Sequence, residues 1–273
     1  MYKEIKTAED QNFLQKDIDL LCKWENTWQM SFNASKCFTM HVTHKTKPMT
    51  REYIMNGKGL QTVKHHPYLG VEISNDLSWA CHIKQTANKA NKLLGLLRRN
   101  IHSCSKEVKD IAYKTLVRSR LEFCGGVWDP FHVNNKMTLE KVQRRAARFV
   151  LNNYNYRESV TNMLSDLQWE SLEERRTRLR LTAIYKEVHH ITPQNIQLQK
   201  PSNITTRQNS GPHILITPSF NKTCYQYSMY PRTAREWNIL PPNTRAAPDI
   251  ISFKSSLAVI NLQELVKGAH FKI

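Results

Sequence analysis

The 273-residue chain has few acidic residues, few glycines and prolines, and no long apolar run. With only 8 Gly and 11 Pro, collagen-like and low-complexity classes are excluded. No stretch approaches the ~18 to 20 consecutive apolar residues of a membrane-spanning helix, and the polar start MYKEIKTAEDQ lacks the apolar core of a signal peptide. We therefore expect an intracellular protein, nuclear or cytoplasmic, that does not enter a membrane.

Motifs for catalysis and for metal binding are also missing. The six cysteines are scattered without a C-x-x-C pair, and the nucleophile-elbow, zincin, P-loop and dinucleotide-binding motifs are absent. The histidine pairs at 65–66 and 189–190 are more typical of surface residues than of ligands. We predict no metal site and no cofactor in this chain.

Positive charge, by contrast, is abundant and unevenly spread. The chain carries 40 Lys and Arg against 23 Asp and Glu, for a net charge of +17. Residues 1–80 contribute +1, residues 81–190 contribute +10 and residues 191–273 contribute +6. An excess that persists from residue 81 onward favours a polyanionic partner, with nucleic acid first. The alternatives are an anionic membrane surface and a solvated basic face that binds nothing.

The first third of the chain reads as a helix followed by a small antiparallel sheet. Thr7 and Asp10 have helix-start spacing, and apolar residues then recur at helical spacing up to about Met30. The β-prone runs CFTMHV, EYIM, LQTV and YLGVEI follow, separated by KTKP, NGKG and KHHP. Asn56-Gly57 predicts a tight turn, because both residues tolerate positive φ.

Residues 78–190 read as a bundle of four helices. The first carries an apolar face whose residues recur at spacings of three and four, namely Trp79, Ile83, Ala87, Ala90, Leu94, Leu97 and Ile101. The second helix is predicted to stop at Gly125-Gly126, and the fourth opens at Ser171 with capping-box spacing. The predicted inward-facing residues are Val108, Ile111, Ala112 and Leu116 in the second helix, Leu139, Val142, Ala146, Phe149 and Val150 in the third, and Leu181, Ile184, Tyr185 and Val188 in the fourth.

These patterns predict an α+β protein that is mostly α. The predicted organisation is a helix and β-hairpins over 1–76, a basic helical bundle over 77–192, a linker or loop over 193–230 and a C-terminal helical segment over 231–273. Short helices are expected in the last segment.

One basic ridge stands out in the predicted third helix. Lys141, Arg144, Arg145 and Arg148 follow i, i+3, i+4, i+7 spacing opposite the apolar face, and such a ridge can follow phosphates. Further guanidinium groups suited to phosphate oxygens are those of Arg98, Arg99, Arg118, Arg120, Arg175, Arg176, Arg178 and Arg180. The alternative is that these cations serve solubility and pair with nearby acids such as Glu140, Glu173 and Glu174.

Four segments resemble a known family when taken in order. They are WENTWQMSFNASKC (24–37), YLGV (68–71), LEKVQRRA (139–146), and YPRT with WNILP (230–241). Their order is similar to that in reverse transcriptases of non-LTR (LINE-type, jockey-like) retrotransposons, and the similarity spans nearly the whole chain.

The resemblance implies a place for each segment within a polymerase. Residues 24–42 resemble the palm helix and strand that follow the catalytic turn, and Tyr68, Leu69 and Gly70 resemble the primer-grip hairpin. Residues 78–190 resemble the thumb and its extension, which would bind an RNA/DNA primer–template duplex. Lys36, in the family's Asn-x-x-Lys segment, would be an accessory residue that assists pyrophosphate departure.

The chain also departs from the family. Polymerases of this kind hold two Mg²⁺ ions with an upstream Asp and an Asp-Asp pair, and this sequence contains no Asp-Asp dipeptide. We therefore expect a C-terminal fragment without catalytic residues, in which Mg²⁺ would matter only for a complete polymerase. The rival hypotheses are a helical protein-interaction module reused by its host and a non-functional relic or incomplete gene model.

Overall fold

The computed structural model describes residues 1–192 and 213–270, with side chains described up to residue 267. The chain forms two compact units, Met1–Cys81 and His82–Ile273. The fold is α+β and mostly α, as predicted. Within the described ranges, no helix is both long enough and apolar enough to cross a membrane.

The first unit begins with the predicted helix, α1 (Ala8–Thr27). The Asp10 backbone N–H donates to Thr7 Oγ1 at 3.3 Å, and the Thr7 N–H donates to Asp10 Oδ2 at 2.8 Å. This reciprocal capping box satisfies backbone donors that the first turn leaves free. The predicted helix start is therefore confirmed.

Six short strands follow α1, and they form three separate pairs. The strands are β1 (Phe38–Thr39), β2 (Ile54–Met55), β3 (Lys58–Gly59), β4 (Gln61–Thr62), β5 (His65–Tyr68) and β6 (Val71–Ser74). Two pairs, β2 with β3 and β5 with β6, are antiparallel as predicted, whereas β1 and β4 are parallel. Asn56 and Gly57 form the predicted turn between β2 and β3, with φ of 50° and 72°.

The β5–β6 hairpin corrects two details of the strand prediction. The run YLGVEI is not one strand, because Leu69 and Gly70 turn the chain with φ of 48° and 84°. The run KHHP is not a separator, because His65–Tyr68 is a strand with Pro67 opposite Glu72. Proline is tolerated here because both strands of a two-stranded pair are edges, where one N–H can go unpaired.

The core of the first unit is small. Ile18, Tyr53, Met55 and Leu60 are buried, and Leu14, Cys22, Phe32 and Cys37 pack against them. At the end of α1 the apolar row leaves this core, so that the Trp24 and Trp28 side chains are 44% and 64% exposed. The Trp24 ring stacks on the ring of Phe32.

From Ala80 onward the described secondary structure is helical. The helices are α2 (Ala80–Asn100), α3 (Lys106–Ala112), a π-helical segment (Tyr113–Arg118), α4 (Ser119–Glu122), α5 (Gly125–Trp128), α6 (Val133–Val150), α7 (Val160–Asp166), α8 (Leu172–Val188), α9 (Thr223–Gln226), α10 (Met229–Ile239), α11 (Pro242–Arg245), α12 (Ile250–Val259) and α13 (Leu262–His270). The predicted capping box of α8 is present, with Ser171 and Glu174 bonded to each other's backbone.

Most predicted apolar faces of this bundle are buried. This holds for Ile83, Ala90, Leu94 and Leu97 of α2, for Leu139, Val142, Ala146, Phe149 and Val150 of α6, and for Leu181, Ile184, Tyr185 and Val188 of α8. Trp79, which precedes α2, is only half-buried. Helical periodicity therefore located three of the four inward faces.

The predicted inward face of the second helix is wrong. Val108, Ile111 and Leu116 are 47%, 61% and 47% exposed, and the buried row is instead Tyr113, Val117 and Leu121. Both rows have helical spacing, and the Tyr113 ring can be buried because its hydroxyl donates to Gln143 Oε1 at 2.9 Å. Burial raises the pKa of that hydroxyl, which keeps it protonated.

The predicted stop at Gly125-Gly126 is displaced by a few residues. The helix ends at Glu122, and Cys124 takes the left-handed conformation with a φ of 52°. Gly125 opens α5 beside α8, where a Cβ on it would lie 3.3 Å from Arg176 Cγ. Close packing against Arg176 therefore explains Gly125, whereas the left-handed turn falls on Cys124.

A buried ion network joins α8 and α10 to the residue after α5. Arg176 and Arg180 of α8 and Arg232 of α10 surround Asp129 and Glu236. Arg180 Nη2 lies 2.7 Å from Glu236 Oε2, and Arg232 Nη1 lies 3.1 Å from Asp129 Oδ2. All five side chains are 3% exposed or less. Arg176 and Arg180 are thus internal ion-pair partners, which corrects their interpretation as phosphate contacts.

The C-terminal helices share a core with α8. Leu181, Ile184 and Tyr185 are fully buried in the same cluster as Trp237 and Phe253. The residues predicted as a bundle (77–192) and as a C-terminal segment (231–273) thus pack within one unit. Of the predicted linker 193–230, residues 193–212 lie outside the described residues, and the part that follows includes α9.

Replacing Glu236 by glutamine should weaken the acid dependence of unfolding. Burial raises the pKa of this carboxyl, but the guanidinium groups of Arg180 and Arg232 together outweigh burial, so the net pKa lies below its ordinary value of 4.5. A depressed folded-state pKa gives stabilisation that is full above pH 4.5 and is lost as pH falls through the folded value. Thermal unfolding across the acid range should therefore show a shallower decline for Glu236→Gln, and an unchanged decline would contradict this role.

Candidate nucleic-acid interface

The predicted basic ridge lies on α6, on the side away from its buried face. Lys141, Arg144 and Arg145 are exposed and Arg148 is half-buried. The opposite side of α6 is closed by apolar packing and by the buried Gln143, whose Nε2 donates to the Glu170 carbonyl at 2.8 Å. Because the apolar face fixes the rotation of the helix, the cations are held on one outward face.

Arginines of α2 extend this basic surface. Arg98 and Arg99 are exposed in the last turn of α2, where positive charge complements the helix dipole. Arg145 Nη1 donates to Asn91 Oδ1 of α2 at 3.1 Å, so the ridge of α6 lies beside this helix. We call the set Lys141, Arg144, Arg145, Arg148, Arg98 and Arg99 the basic patch.

The connection from α6 to α7 lies at the edge of the basic patch. Its backbone is fixed by Asn153 N–H, which donates to the Arg148 carbonyl at 3.0 Å, and by Asn155 N–H, which donates to Asn153 Oδ1 at 3.0 Å. The Arg148 side chain in turn donates to the Asn155 carbonyl at 2.9 Å. We call residues 151–159 the tyrosine loop.

Two tyrosines of this loop lie against arginines of the basic patch. The Arg98 guanidinium lies 5.3 Å from the ring centroid of Tyr154, and that of Arg148 lies 5.4 Å from the ring centroid of Tyr156. These distances are in the range of cation–π attraction. Sequence reasoning did not single out these tyrosines, although aromatic residues among Asn and Arg in NNYNYR are a usable signal.

The basic patch keeps its charge available to a ligand. In the described part of the chain, the ion pairs of the basic side chains involve other residues, such as Lys136 with Glu173 and Arg175 with Glu122. None of the six patch cations forms an ion pair with a described carboxylate. The patch is therefore a concentration of positive charge that an anion could neutralise.

The remaining predicted site residues lie in the first unit. Lys36 is exposed at the end of a 3₁₀ turn (Ala34–Lys36) that the Asn33 side chain caps. Tyr68 and Leu69 are 61% and 78% exposed at the tip of the β5–β6 hairpin, next to Gly70. The structure thus groups the six cations of the basic patch in one unit, and Lys36 and the hairpin tip in the other.

Groups of acidic, histidine or cysteine side chains offer no further candidate. Over residues 1–192 and 213–267, whose side chains are described, no three such side chains come together in a way that could hold a metal ion. No known protein family, curated protein or solved structure matches the chain. The functional argument therefore depends on the geometry of the basic patch.

Proposed function

We propose that the second unit is a sequence-tolerant nucleic-acid-binding module that acts like the thumb of a non-LTR reverse transcriptase and holds a primer–template duplex. The observation that carries this proposal is the basic patch, in which six cations on two neighbouring helices form no ion pair with a carboxylate of the described residues. In this proposal the chain is part of an RNA-directed DNA polymerase and contributes binding rather than nucleotide transfer.

The spacing of the cations fits a phosphate backbone. From Lys141 to Arg148 the axis of α6 rises about 10 Å, at about 1.5 Å per residue. One strand of B-form DNA presents a phosphate about every 3.4 Å along its axis, so this length faces about three phosphates. Arginine also presents several N–H donors in a fixed plane, which suits phosphate oxygens.

The chemistry of the basic patch favours binding that is independent of nucleotide sequence. Phosphate contacts fix orientation and supply affinity but do not read sequence. Exposed Asn or Gln side chains that could read base edges do not dominate the ridge, which is built of lysine and arginine. We therefore expect the protein to bind different sequences with similar affinity.

A binding titration tests this function directly. The full chain is titrated into labelled RNA–DNA hybrids of two unrelated sequences while salt is raised from about 50 to 200 mM. We expect similar affinities for both hybrids and a linear fall of log K with log salt concentration, because binding releases counterions. Affinity that is absent, or that does not respond to salt, would contradict the proposal.

An exposed apolar row favours one alternative function, a protein-interaction module. Val108, Ile111 and Leu116 lie exposed along the element 106–122, and Phe123 follows at 54% exposure. Apolar side chains grouped in this way are typical of protein contacts. Binding dominated by this row would be nearly independent of salt, which separates it from binding by the basic patch.

A further inference from the structure

The tyrosine loop holds two aromatic rings at the protein surface rather than in the core. The Tyr156 side chain is 92% exposed and that of Tyr154 is 43% exposed, although both rings lie against arginines. Tyr156, at this exposure, contributes little burial to the fold. Most of the surface of Tyr156 and part of that of Tyr154 are therefore accessible to a planar ligand.

The loop is also ordered by its own polar contacts. In addition to the bonds of Asn153 and Asn155, the Arg157 N–H donates to Asn155 Oδ1 at 3.1 Å, and the Asn153 side chain donates to Glu158. Arg148 links the loop to α6, because its guanidinium bonds the Asn155 carbonyl and also faces Tyr156. The rings are thus presented on a structured support, which lowers the entropic cost of binding.

We propose that the tyrosine loop binds unpaired bases, so that the site takes a single-stranded segment next to the duplex held by the basic patch. This inference rests on the proposed function, because the phosphates of the same strand would be held by Arg144, Arg145 and Arg148. Tyr154 and Tyr156 would supply the stacking surfaces.

The physical basis is the combination of an open aromatic face with neighbouring cations. Proteins that bind single strands stack successive bases on aromatic side chains and follow the backbone with positive charge. Within a duplex each base is covered above and below by its neighbours, so exposed tyrosines gain stacking from unpaired bases rather than from paired ones. Every base offers a π-face, so this contact is as tolerant of sequence as the phosphate contacts are.

The experiment compares three probes that differ only beside the duplex. The first is a blunt RNA–DNA hybrid, the second adds a single-stranded overhang of about six nucleotides, and the third carries the same overhang without bases. Overhangs of both polarities are used. The abasic probe keeps the phosphates and removes only the stacking partners, so it isolates the contribution of the bases.

The double variant Tyr154→Ala/Tyr156→Ala should lose at least about thirtyfold in affinity for the base-bearing overhang, because two stacking surfaces are removed and each stacked base contributes about fivefold or more. Its affinity for the blunt and abasic probes should stay as in the unmodified chain. Tyr156→Trp should retain binding. The fluorescence that this added indole contributes above the six native tryptophans should be quenched by the base-bearing overhang alone. Tyr2→Ala, at an exposed tyrosine of the first unit, is the control.

The outcomes separate this inference from the proposed function. Equal losses on all three probes would mean that the tyrosines only position Arg148 and would overturn the inference, as would equal affinity of the unmodified chain for the base-bearing and abasic overhangs. In either case salt-dependent binding to the blunt hybrid would still support the proposed function. If the unmodified chain binds none of the probes, both proposals are wrong.

Discussion

Replacing Asp129 by alanine is expected to destabilise the second unit by about 3–5 kcal/mol, which is the range for removing one partner of a buried ion pair. The Asp129 side chain is 3% exposed and faces Arg176, Arg180 and Arg232. Asp129 is the carboxylate that pairs with all three guanidinium groups, so its loss leaves Glu236 to pair with Arg180 and Arg232 and removes the ion pair of Arg176 with Asp129. The measurement is chemical unfolding of the full chain, followed by circular dichroism.

Two further variants make this prediction specific. Asp129→Asn keeps the shape of the side chain but loses its charge. It should still lower the free energy of unfolding several-fold more than a surface substitution does. Asp166→Ala removes an exposed acid at the end of α7 and should change stability by less than about 0.5 kcal/mol. If Asp129→Ala proved no more destabilising than Asp166→Ala, the network would not hold α5, α8 and α10 together.

The position of Asp129 explains why these contacts were not foreseen. Capping boxes and the apolar face of α6 depend on residues three or four positions apart, so their spacing predicted them. Arg180 bonds Glu236, which is 56 residues away, and its pattern on α8 looks the same whether the arginine is solvated or buried. Only the packing of α10 on α8 decides between these states.

The second helix of the bundle shows the same limit. Val108, Ile111 and Leu116 form a more apolar row than Tyr113, Val117 and Leu121 do, and periodicity favoured the former. The Tyr113 hydroxyl bonds Gln143 of α6, and the Tyr113 ring stacks on the ring of Trp169 with the centroids 4.2 Å apart. These partners come from distant parts of the chain, so the sequence of the helix alone does not contain the information.

The candidate site divides in a similar way. The ridge of α6 was predicted, because its four cations and the apolar face opposite lie within one helix. Sequence spacing did not predict which residues lie beside this ridge. The contact of Arg145 with Asn91 and that of Arg98 with Tyr154 join residues 54 or more positions apart. A site made by two helices and a loop requires the tertiary structure before its residues can be grouped.

The triple variant Lys141→Ala/Arg144→Ala/Arg145→Ala is expected to lose up to about 500-fold in affinity for a blunt duplex near 0.1 M salt. Each phosphate contact contributes about 0.9 to the log–log salt slope on B-form DNA, so three lost contacts should lower the slope by about 2.7. Arg148 is left in place because it supports the tyrosine loop. Alanine favours helix, so α6 should remain folded.

The matched control is Lys222→Ala/Lys254→Ala/Lys267→Ala, which removes the same charge from exposed positions outside the basic patch. If net charge alone attracted the duplex, the two triple variants would lose similar affinity. If the ridge contacts phosphates, the control should change the slope little, and the ridge variant should weaken binding to unrelated sequences by the same factor. An unchanged slope in the ridge variant would assign these cations to solubility, because a side chain that touches no phosphate releases no counterion on binding.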